Sequence, residues 1–498
     1  MKEKIFGILK HTALYSFGNI AQKGMGLITL PINAFYLSNA EFGALAILEI
    51  VMIVAAEAIT LGQANSILYF NSVKEYAKEK KSIFFTITIL VFLSGIVFGS
   101  AALFSQMFFP FSFGANSYFI GKLHFVVLIS VLRAFNSVFL NKLRADEKSF
   151  QYTIVNLVRI IFTIGLIVLL VANMSWAITG VLFAYLVSEI ACLAILIPLL
   201  VSQMEFRFLN PICVKSLKYG FPLIFSALGI YVLNLSDRFL IKLFFNLKEV
   251  GVYDFGYKIA GILQMFLILP FSQALLPSTY KEYKRPGDTR YYSKLMTYMC
   301  FVLIWGGLAL SLFSDIIVSI MGQNKFNGAG IFVPIIILAY VFSSMRNVAF
   351  VGIMLSEKTV YIGILTVAAG ALNVILNLLF LPKYGVITAA YTTLIAFVLF
   401  FFASKIIADK YYKITYESLK LIKLFFVGIG LYALSGFIKT NFVIADVLIK
   451  IILIIVFPVI MHGLKFYEDI ELTTIRNSIL KIKNPKDIKN IFNNLLSK

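Results

Sequence analysis

The 498-residue chain is 60% hydrophobic and 14% charged, and its mean hydropathy is +0.91. This composition excludes a water-soluble domain, because no soluble core buries so much apolar surface, and it indicates an integral membrane protein. The formal net charge of +20 would suit a nucleic-acid ligand, but the charges alternate from loop to loop and therefore indicate membrane topology instead.

Long apolar segments recur along the whole chain. Each has about 20 residues or more, the length at which a helix crosses a hydrocarbon core about 30 Å thick. Isolated strands cannot satisfy their backbone groups in lipid, so the segments predict an all-α integral membrane protein. About fourteen transmembrane helices are predicted, at 8–36, 42–70, 82–110, 119–140, 152–172, 176–200, 219–245, 251–277, 295–321, 330–354, 360–381, 385–404, 421–438 and 442–462. The basic start lacks a small-residue cleavage site, which predicts an uncleaved first span.

The basic residues between the spans predict the topology. Every second connection is rich in lysine and arginine, as at Lys74, Lys78, Lys80 and Lys81, whereas the intervening connections carry at most one lysine each. By the positive-inside rule, both termini are predicted to lie in the cytoplasm of a bacterium, with the chain crossing the cytoplasmic membrane an even number of times. The same excess indicates contact with the anionic lipids of the bilayer and no nucleic-acid partner.

Three sequence matches at nearly one offset predict an internal duplication. Gly43 in AEFGALAILE corresponds to Gly251 in KEVGVYDFGYK, RADEKSFQYTIVN to LSEKTVYIGILTV, and TGVLFAYLVSEI to YGVITAAYTTLI. Copies with an even number of spans are parallel repeats, which enclose a cavity that opens to alternate sides of the membrane. The predicted units are an N-terminal lobe at 1–205 (spans 1–6), a C-terminal lobe at 206–415 (spans 7–12), two extra helices at 416–464 (spans 13 and 14) and a basic cytoplasmic tail at 465–498. The tail is predicted either to lie on the inner leaflet as an amphipathic helix or to be solvated.

Four stretches carry a family resemblance that covers the whole chain. They are LSNAEFGALAILEIV, LGQANSILYF, LSDRFLIKLFFNLKEVGVYDFGYKIAGIL and FLPKYGVITAAYTTLIAF. With them the chain resembles the multidrug/oligosaccharidyl-lipid/polysaccharide (MOP) exporter superfamily and, within it, the bacterial polysaccharide-repeat flippases of the Wzx type, which serve the O-antigen, capsule and exopolysaccharide pathways.

The resemblance implies a transporter rather than an enzyme. Its substrate would be an undecaprenyl-diphosphate-linked oligosaccharide, moved from the cytoplasmic to the outer leaflet by alternating access through a cationic central cavity. A polysaccharide polymerase and chain-length proteins are the protein partners that it implies. In the related lipid II flippases, extra helices such as spans 13 and 14 are associated with a groove for the lipid tail.

Basic residues inside the spans are the candidates for such a cavity. A charge at the membrane centre costs roughly 2.5–3.5 kcal/mol, so each asks for a partner, water or a ligand. Asn19 and Lys23 share one face of span 1, and Asn234, Arg238 and Lys242 repeat that stripe on span 7. Guanidinium and ammonium groups would accept the negative charge of a diphosphate. The candidate substrate-binding residues are Lys23, Asn19, Arg238, Lys242, Arg346, Arg133 and Arg159.

The acidic residues inside the spans leave two interpretations open. Asp237 points about 100 degrees away from the arginine that follows it, which favours a structural ion pair with Arg346 or Lys242 over substrate contact. Glu49 and Glu57 lie two turns apart on one face of span 2. They are candidates for coupling transport to H⁺ or Na⁺, and pairing with the basic residues is the alternative.

The remaining polar residues predict little chemistry. Cys192, Cys213 and Cys300 share no ligand-like spacing, so neither a metal site nor another cofactor is expected. Lys258 and Lys450 are predicted to extend toward a membrane interface.

Three other functions remain open. One is a multidrug or toxic-cation antiporter of the same superfamily, which usually has about twelve spans and acidic groups on the first helix, where this chain has Lys23. Another is a membrane-embedded glycan polymerase or acyltransferase, which would need a catalytic cluster and a loop to hold it. A scaffold without transport activity is the third, and it would not need so many buried cations.

Overall fold

The structure is a computed structural model that describes residues 24–108, 118–119, 121–283, 285, 287–438, 442–469 and 472–473. Those residues form helices joined by short turns, and none of them lies in a strand. The helices are α1 (24–36), α2 (Asn39–Thr60), α3 (Gln63–Ser72), α4 (Lys80–Phe108), α5 (Leu123–Ala145), α6 (Ser149–Ile167), α7 (Ala177–Val201), α8 (Asn210–Phe244), α9 (Leu247–Leu263), α10 (Leu269–Glu282), α11 (Asp288–Leu312), α12 (Ser314–Gly322), α13 (Phe332–Leu355), α14 (Val360–Tyr384), α15 (Ile387–Tyr411), α16 (Ser418–Phe437) and α17 (Val443–Gly463). A π-helical turn at Val168–Asn173 extends α6, and another at Gln264–Ile268 joins α9 to α10.

The helices confirm the predicted all-α membrane fold. Thirteen stretches of the described chain are long and apolar enough to cross a membrane. They correspond to the second to fourteenth predicted spans, and α1 is the described part of the first. The predicted span at 42–70 is divided, because Leu61 and Gly62 adopt left-handed backbone conformations between α2 and α3.

The helices α2 and α9 begin in the same way. Ser38 caps α2 by accepting a hydrogen bond from the amide of Glu41, whose side chain accepts one in return from the Ser38 amide. Asn246 caps α9 by accepting from the amide of Glu249. Such caps satisfy backbone donors that a helix N-terminus leaves free. The two caps hold equivalent positions in the predicted duplication.

Helices α1–α7 are called the N-terminal half and α8–α15 the C-terminal half. In the first, α5 packs against α2 and α7, and α6 packs against α7; in the second, α8 packs against α14, and α13 against α15 and α11. The basic end of the bundle is the end that carries the lysine- and arginine-containing connections at 73–79, 146–148, 202–209, 356–359 and 412–417. The boundaries predicted for the four units stay predictions.

The two halves meet at the opposite end through paired glycines of α2 and α9. A Cβ atom on Gly43 would lie 2.0 Å from the carbonyl oxygen of Leu247, and one on Gly251 would lie 2.1 Å from that of Asn39. The contact is therefore reciprocal, and only glycine lets the backbones approach so closely. The Asn39 side chain also donates to the carbonyl of Lys325 at 2.7 Å.

At the basic end, the halves meet again where α3 begins. A Cβ atom on Gly62 would lie 2.2 Å from the carbonyl oxygen of Gly220 on α8. The hydroxyl of Ser66 donates to the carbonyl of Ser216 at 3.0 Å. The halves are thus in backbone contact at both ends of the bundle.

Helices α16 and α17 pack on the outside of the C-terminal half, against α11. The indole of Trp305 on α11 donates to the carbonyl of Ile454 on α17 at 2.9 Å. Lys294 on α11 lies 2.8 Å from the carboxylate of Glu417 and also pairs with Glu468, which follows α17. Charge and packing together fix these two helices to the bundle.

Candidate functional site

A cavity of about 440 Å³ lies between the two halves. The N-terminal half lines it with α1, α2, α5 and α7, and the C-terminal half with α8, α9, the turn after α9, and α13. Its described polar and aromatic lining consists of Thr29, Asn33, Phe42, Glu49, Arg133, Tyr185, Arg238, Asp254, Tyr257, Lys258, Gln264 and Tyr340. This chamber in the interior of a membrane bundle therefore combines charged and polar groups with apolar wall.

A chain of four charged groups crosses the cavity from one half to the other. The Lys258 ammonium lies 3.1 Å from a carboxylate oxygen of Glu49 and 3.1 Å from one of Asp254. The other oxygen of Asp254 accepts from Arg238 at 3.0 Å. Glu49 also accepts from the hydroxyl of Tyr185 at 2.7 Å. Opposite charges alternate along this chain, so each compensates its neighbours.

Arg238 lies in the cavity wall, but its charge is enclosed. Its side chain is only 2% exposed. Besides Asp254, the guanidinium donates to the carbonyl of Asn234 at 2.8 Å. It also lies over the ring of Tyr257 at 3.9 Å and that of Tyr253 at 5.2 Å. Because these groups surround the guanidinium, Arg238 stabilises the cavity wall and offers little of its charge to a molecule in the cavity.

A second ionic cluster backs the N-terminal wall. Glu189 on α7 lies 3.2 Å from Arg133 and 3.0 Å from Arg159, and it accepts from Asn136 at 2.7 Å. Arg133 lines the cavity with a 24% exposed side chain, whereas Arg159 is buried behind it. Of these two candidate substrate-binding residues, only Arg133 is therefore within reach of a molecule in the cavity.

Asp237 holds a different arrangement from the predicted ion pair. Its oxygens accept hydrogen bonds from Tyr253 at 2.7 Å, Thr393 at 2.8 Å and Asn377 at 2.9 Å. No described lysine or arginine nitrogen lies within salt-bridge distance of it. The carboxylate is fully buried among α8, α9, α14 and α15, where three neutral donors replace the expected cation. The prediction that it connects helices is retained, but the predicted partner was wrong.

Arg346 and Lys242 lie outside the described cavity lining. Arg346 is buried within the C-terminal half against the rings of Phe400 at 4.7 Å, Phe350 at 5.3 Å and Phe397 at 5.8 Å. No described carboxylate lies within salt-bridge distance of it. Lys242 is half-buried one turn beyond Arg238, with its ammonium 4.6 Å from the centre of the Phe119 ring. Arg346 is turned away from the cavity by the rotation of α13, whereas Lys242 lies on the same face of α8 as Arg238 but one turn further along the helix.

Of the two glutamates predicted as ion-coupling candidates, one lines the cavity and the other does not. Glu49 lines the cavity, whereas Glu57 lies half-buried two turns further along α2, outside the described lining. No described side chain bonds the carboxylate of Glu57. Asn19 and Lys23 lie outside the described residues.

One residue of the cavity wall was wrongly placed from the sequence, and two acids in or behind that wall were missed. Lys258 does not extend to an interface as predicted, because two carboxylates hold its ammonium at the cavity. Asp254 lies four residues before it on α9, a spacing that already indicates an ion pair. Glu189 is an acid in the middle of a predicted span, which by itself is a sign of function. Among the acids in the spans, Asp237, Glu49 and Glu57 were considered from the sequence, and these two were missed.

A smaller apolar cavity of about 210 Å³ lies among α11, α13, α15 and α16. Its lining is aliphatic and aromatic apart from Ser311 and two tyrosine hydroxyls, and includes Ile304, Leu308, Leu338 and Phe425. Helix α16 belongs to the two helices without a counterpart in the duplication. This cavity suits an apolar chain and nothing charged.

Comparisons with known proteins agree with this architecture. A family model described as polysaccharide biosynthesis protein matches residues 8–281, more than half of the chain. The uncharacterized membrane protein MJ1068 of Methanocaldococcus jannaschii is 23% identical over 436 residues, which cover 81% of this chain and 83% of that protein.

Solved structures share the fold. The lipid II flippase MurJ in an inward closed conformation has a TM-score of 0.70 at 16% identity, covering 91% of this chain and 99% of MurJ. An inward-facing multidrug resistance transporter of the MATE family, from the MOP superfamily, has a TM-score of 0.60 at 11% identity, covering 82% and 95%.

The fold of this multi-pass membrane protein is therefore shared with the lipid II flippase MurJ and with the MATE-family transporter. The chain belongs to the polysaccharide biosynthesis protein family. The family predicted from the sequence is thereby confirmed.

Proposed function

We propose that this chain is a flippase that moves an undecaprenyl-diphosphate-linked oligosaccharide repeat unit across the bacterial cytoplasmic membrane by alternating access. The observation that carries the proposal is the polar cavity between the two halves, combined with membership of the polysaccharide biosynthesis protein family. Transport of this kind makes and breaks no covalent bond. It needs only a chamber for the polar head group and a path for the lipid tail.

The cavity has groups suited to a sugar diphosphate. Lys258 and Arg133 are the described lining cations with partly exposed side chains, at 32% and 24%. An ammonium and a guanidinium form charge-assisted hydrogen bonds with phosphate oxygens. The rings of Tyr185, Tyr257 and Tyr340 offer apolar faces and hydroxyls to sugar rings. Because carboxylates balance the described cations, the cavity is less cationic than the sequence predicted.

The lipid tail needs a different environment. The apolar cavity beside α16 is suited to part of a polyprenyl chain, because its lining offers methyl, methylene and ring surfaces. The two C-terminal helices would then serve as a side wall for the lipid while its head group crosses between the halves.

The coupling ion, H⁺ or Na⁺, belongs to the proposal as well. Asp237 is a buried carboxylate with neutral partners, and the side-chain oxygens of Asn373, Asn377, Thr392 and Thr393 share its network. Oxygen ligands of this type suit a small hard cation. Glu49 is a weaker candidate than the sequence indicated, because Lys258 already occupies it.

Orientation and protein partners complete the proposal. The basic end would face the cytoplasm, with both termini on that side, since cytoplasmic loops carry the excess of lysine and arginine. A polysaccharide polymerase and chain-length proteins would use the product at the outer leaflet. The two six-helix lobes would move relative to each other, and the two added helices would form a side wall.

A cation antiporter is the second candidate function. It is favoured by the shared fold with multidrug transporters and by the carboxylates of Glu49 and Asp254 in the cavity. A polymerase or acyltransferase is not proposed, because the fold is that of transporters.

Binding to purified protein in nanodiscs separates the two functions. The flippase account expects saturable binding of undecaprenyl diphosphate carrying a fluorescent oligosaccharide, and little binding of a cationic dye such as ethidium. If the dye binds and the diphosphate lipid does not, the flippase proposal is wrong and the antiporter is the better account.

A further inference from the structure

We propose that the Glu49–Lys258 ion pair is a latch between the two halves, which the anionic head group of the substrate opens by replacing Glu49 at the Lys258 ammonium. The proposal rests on the proposed flippase function and deepens it, because it names the contact through which substrate binding starts the conformational change.

The pair joins the two halves directly. Glu49 lies on α2 of the N-terminal half and Lys258 on α9 of the C-terminal half, 3.1 Å apart. These are the two helices whose paired glycines, Gly43 and Gly251, close the end opposite the basic end. Along a helix at 1.5 Å per residue, Glu49 lies roughly 9 Å from Gly43 and Lys258 roughly 10.5 Å from Gly251. The ion pair thus reinforces the closed end from inside the cavity.

The pair is accessible to a ligand. The side chains of Lys258 and Glu49 are 32% and 23% exposed, and both line the cavity. Arg238, by contrast, is enclosed by Asp254 and two tyrosine rings. A diphosphate in the cavity therefore reaches Lys258 without disturbing the wall.

Each member of the pair keeps a partner after the exchange. Lys258 retains Asp254 at 3.1 Å, and Glu49 retains the hydroxyl of Tyr185 at 2.7 Å. Breaking a buried pair is expensive mainly when it leaves a charge uncompensated. Lys258 keeps a counter-ion, whereas Glu49 loses its cation but keeps a hydrogen-bond donor and a 23% exposed side chain. Because the pair is only partly buried, a phosphate oxygen can displace Glu49 at modest cost. The same exchange removes an attraction between the halves.

The basic-end contact is built differently. Gly62 meets Gly220, and Ser66 meets Ser216, through backbone approach and a neutral hydrogen bond. Neither of these contacts is an ion pair, so an anion has no partner to replace there. Substrate binding would consequently loosen the opposite end selectively, which is the direction needed to release a lipid to the outer leaflet.

Distances between spin labels test the latch. Met174 lies in the α6–α7 connection and Tyr384 is the last residue of α14, so both are exposed at the opposite end, one in each half. Met174→Cys and Tyr384→Cys are labelled after replacement of the three native cysteines, and electron–electron double resonance is recorded on the full chain in nanodiscs. The probe is undecaprenyl diphosphate, and undecaprenol, which lacks the charge, is the control lipid.

The latch predicts a longer distance with the diphosphate and no change with undecaprenol. Glu49→Gln should raise the ratio of long to short distances about two- to fivefold without any lipid, as expected for loss of one partly exposed ion pair. Lys258→Gln should do the same and remove the response to the diphosphate, whereas Lys258→Arg should keep it. Lys450→Gln is the matched control, because Lys450 pairs with Asp446 on α17, outside the cavity.

The failure of the latch and that of the flippase are distinguishable. Binding of undecaprenyl diphosphate is measured in the same nanodiscs. If the lipid binds but the distance stays unchanged, or if Glu49→Gln matches the parent, the latch is wrong and the flippase proposal stands. If the diphosphate does not bind at all, the flippase proposal fails and the latch fails with it.

Discussion

Arg238 illustrates how a charge inside a membrane helix is compensated. The guanidinium bonds Asp254 and a backbone carbonyl, and two tyrosine rings cover it. Arg238→Ala would leave Asp254 with Lys258 alone in a buried site. We expect it to destabilise the fold by about 3–5 kcal/mol. Thermal unfolding of detergent-purified protein measures this, and a variant as stable as the parent would show that the pair is dispensable.

Arg346 should behave in the opposite way. It lies among three phenyl rings with no described carboxylate in salt-bridge reach, and outside the described cavity lining. Arg346→Met fills the same space without a buried charge, so its stability should lie within about 1.5 kcal/mol of the parent or above it. Affinity for undecaprenyl diphosphate should be unchanged. A large loss of affinity would restore Arg346 as a ligand-facing cation.

Single residues were the hardest to predict from the sequence. Charge and depth in a span identified Arg238, Arg133 and Glu49 as important, and all three line the cavity. The same criteria also selected Arg346 and Arg159, which lie elsewhere. Burial in a span does not distinguish a cavity face from a protein face, since both exclude lipid. That distinction depends on the rotation of each helix within the bundle, which no short pattern in the chain encodes.

At the scale of elements, glycine contacts join the two halves at two separate positions along the bundle. Gly43→Ala would place a Cβ atom 2.0 Å from the Leu247 carbonyl, and Gly62→Ala one 2.2 Å from the Gly220 carbonyl. Each should therefore hold its own end open. Spin-label distances at the two ends should lengthen selectively, at the opposite end for Gly43→Ala and at the basic end for Gly62→Ala.

A matched control exists for the glycine variants. Gly363 on α14 has open space around it, so Gly363→Ala should change neither distance. If Gly43→Ala and Gly62→Ala lengthened the same distance, the two contacts would not be independent gates.

The ion pairs that Lys294 of α11 forms with Glu417, before α16, and Glu468, after α17, should depend on pH. A hydrogen bond from Lys294 lowers the pKa of Glu468. Burial alone would raise the pKa of Glu417, but hydrogen bonds from Lys294, Thr297 and Lys420 outweigh it and lower that pKa. Carboxylates with lowered pKa values stabilise the folded state above the ordinary glutamate value of 4.5 and lose that contribution as pH falls through the lowered values.

Hydrogen–deuterium exchange at 464–469 measures this effect. Corrected for the intrinsic rate, protection should fall as the pH decreases from 5 through the lowered pKa values of the two carboxylates. Glu417→Gln with Glu468→Gln should remove the dependence. Unchanged protection over that interval in the parent would show that packing, and not the ion pairs, holds the segment.

Elements were more predictable than residues. Apolar length alone located the spans, because the hydrocarbon thickness fixes how many residues a helix needs. It could not reveal the break at Leu61 and Gly62, since both flanking segments remain apolar and the interruption depends on backbone conformation. The paired starts of α2 and α9 were visible in the sequence as corresponding glycines, but their direct contact required the assembled bundle.

At the scale of the whole molecule, the duplication accounts for the arrangement of the two halves around the cavity. Two halves that meet through equivalent glycines, with a charged chamber between them, suit a carrier that exchanges one closed end for the other. The net charge of the chain said little about this chamber. Most basic residues lie in the connections, whereas the described cations of the cavity are balanced by Glu49, Asp254 and Glu189.

Leaflet exchange of the proposed substrate tests the central claim most directly. Proteoliposomes would contain the parent chain, Lys258→Gln or Lys450→Gln, with fluorescent undecaprenyl-diphosphate oligosaccharide in both leaflets, and an impermeant quencher would report the outer fraction over time. The account predicts exchange by the parent and by Lys450→Gln, and a rate at least about tenfold lower for Lys258→Gln, equivalent to losing roughly 1.4 kcal/mol. No exchange by the parent, under conditions in which it extrudes a cationic dye, would contradict the account.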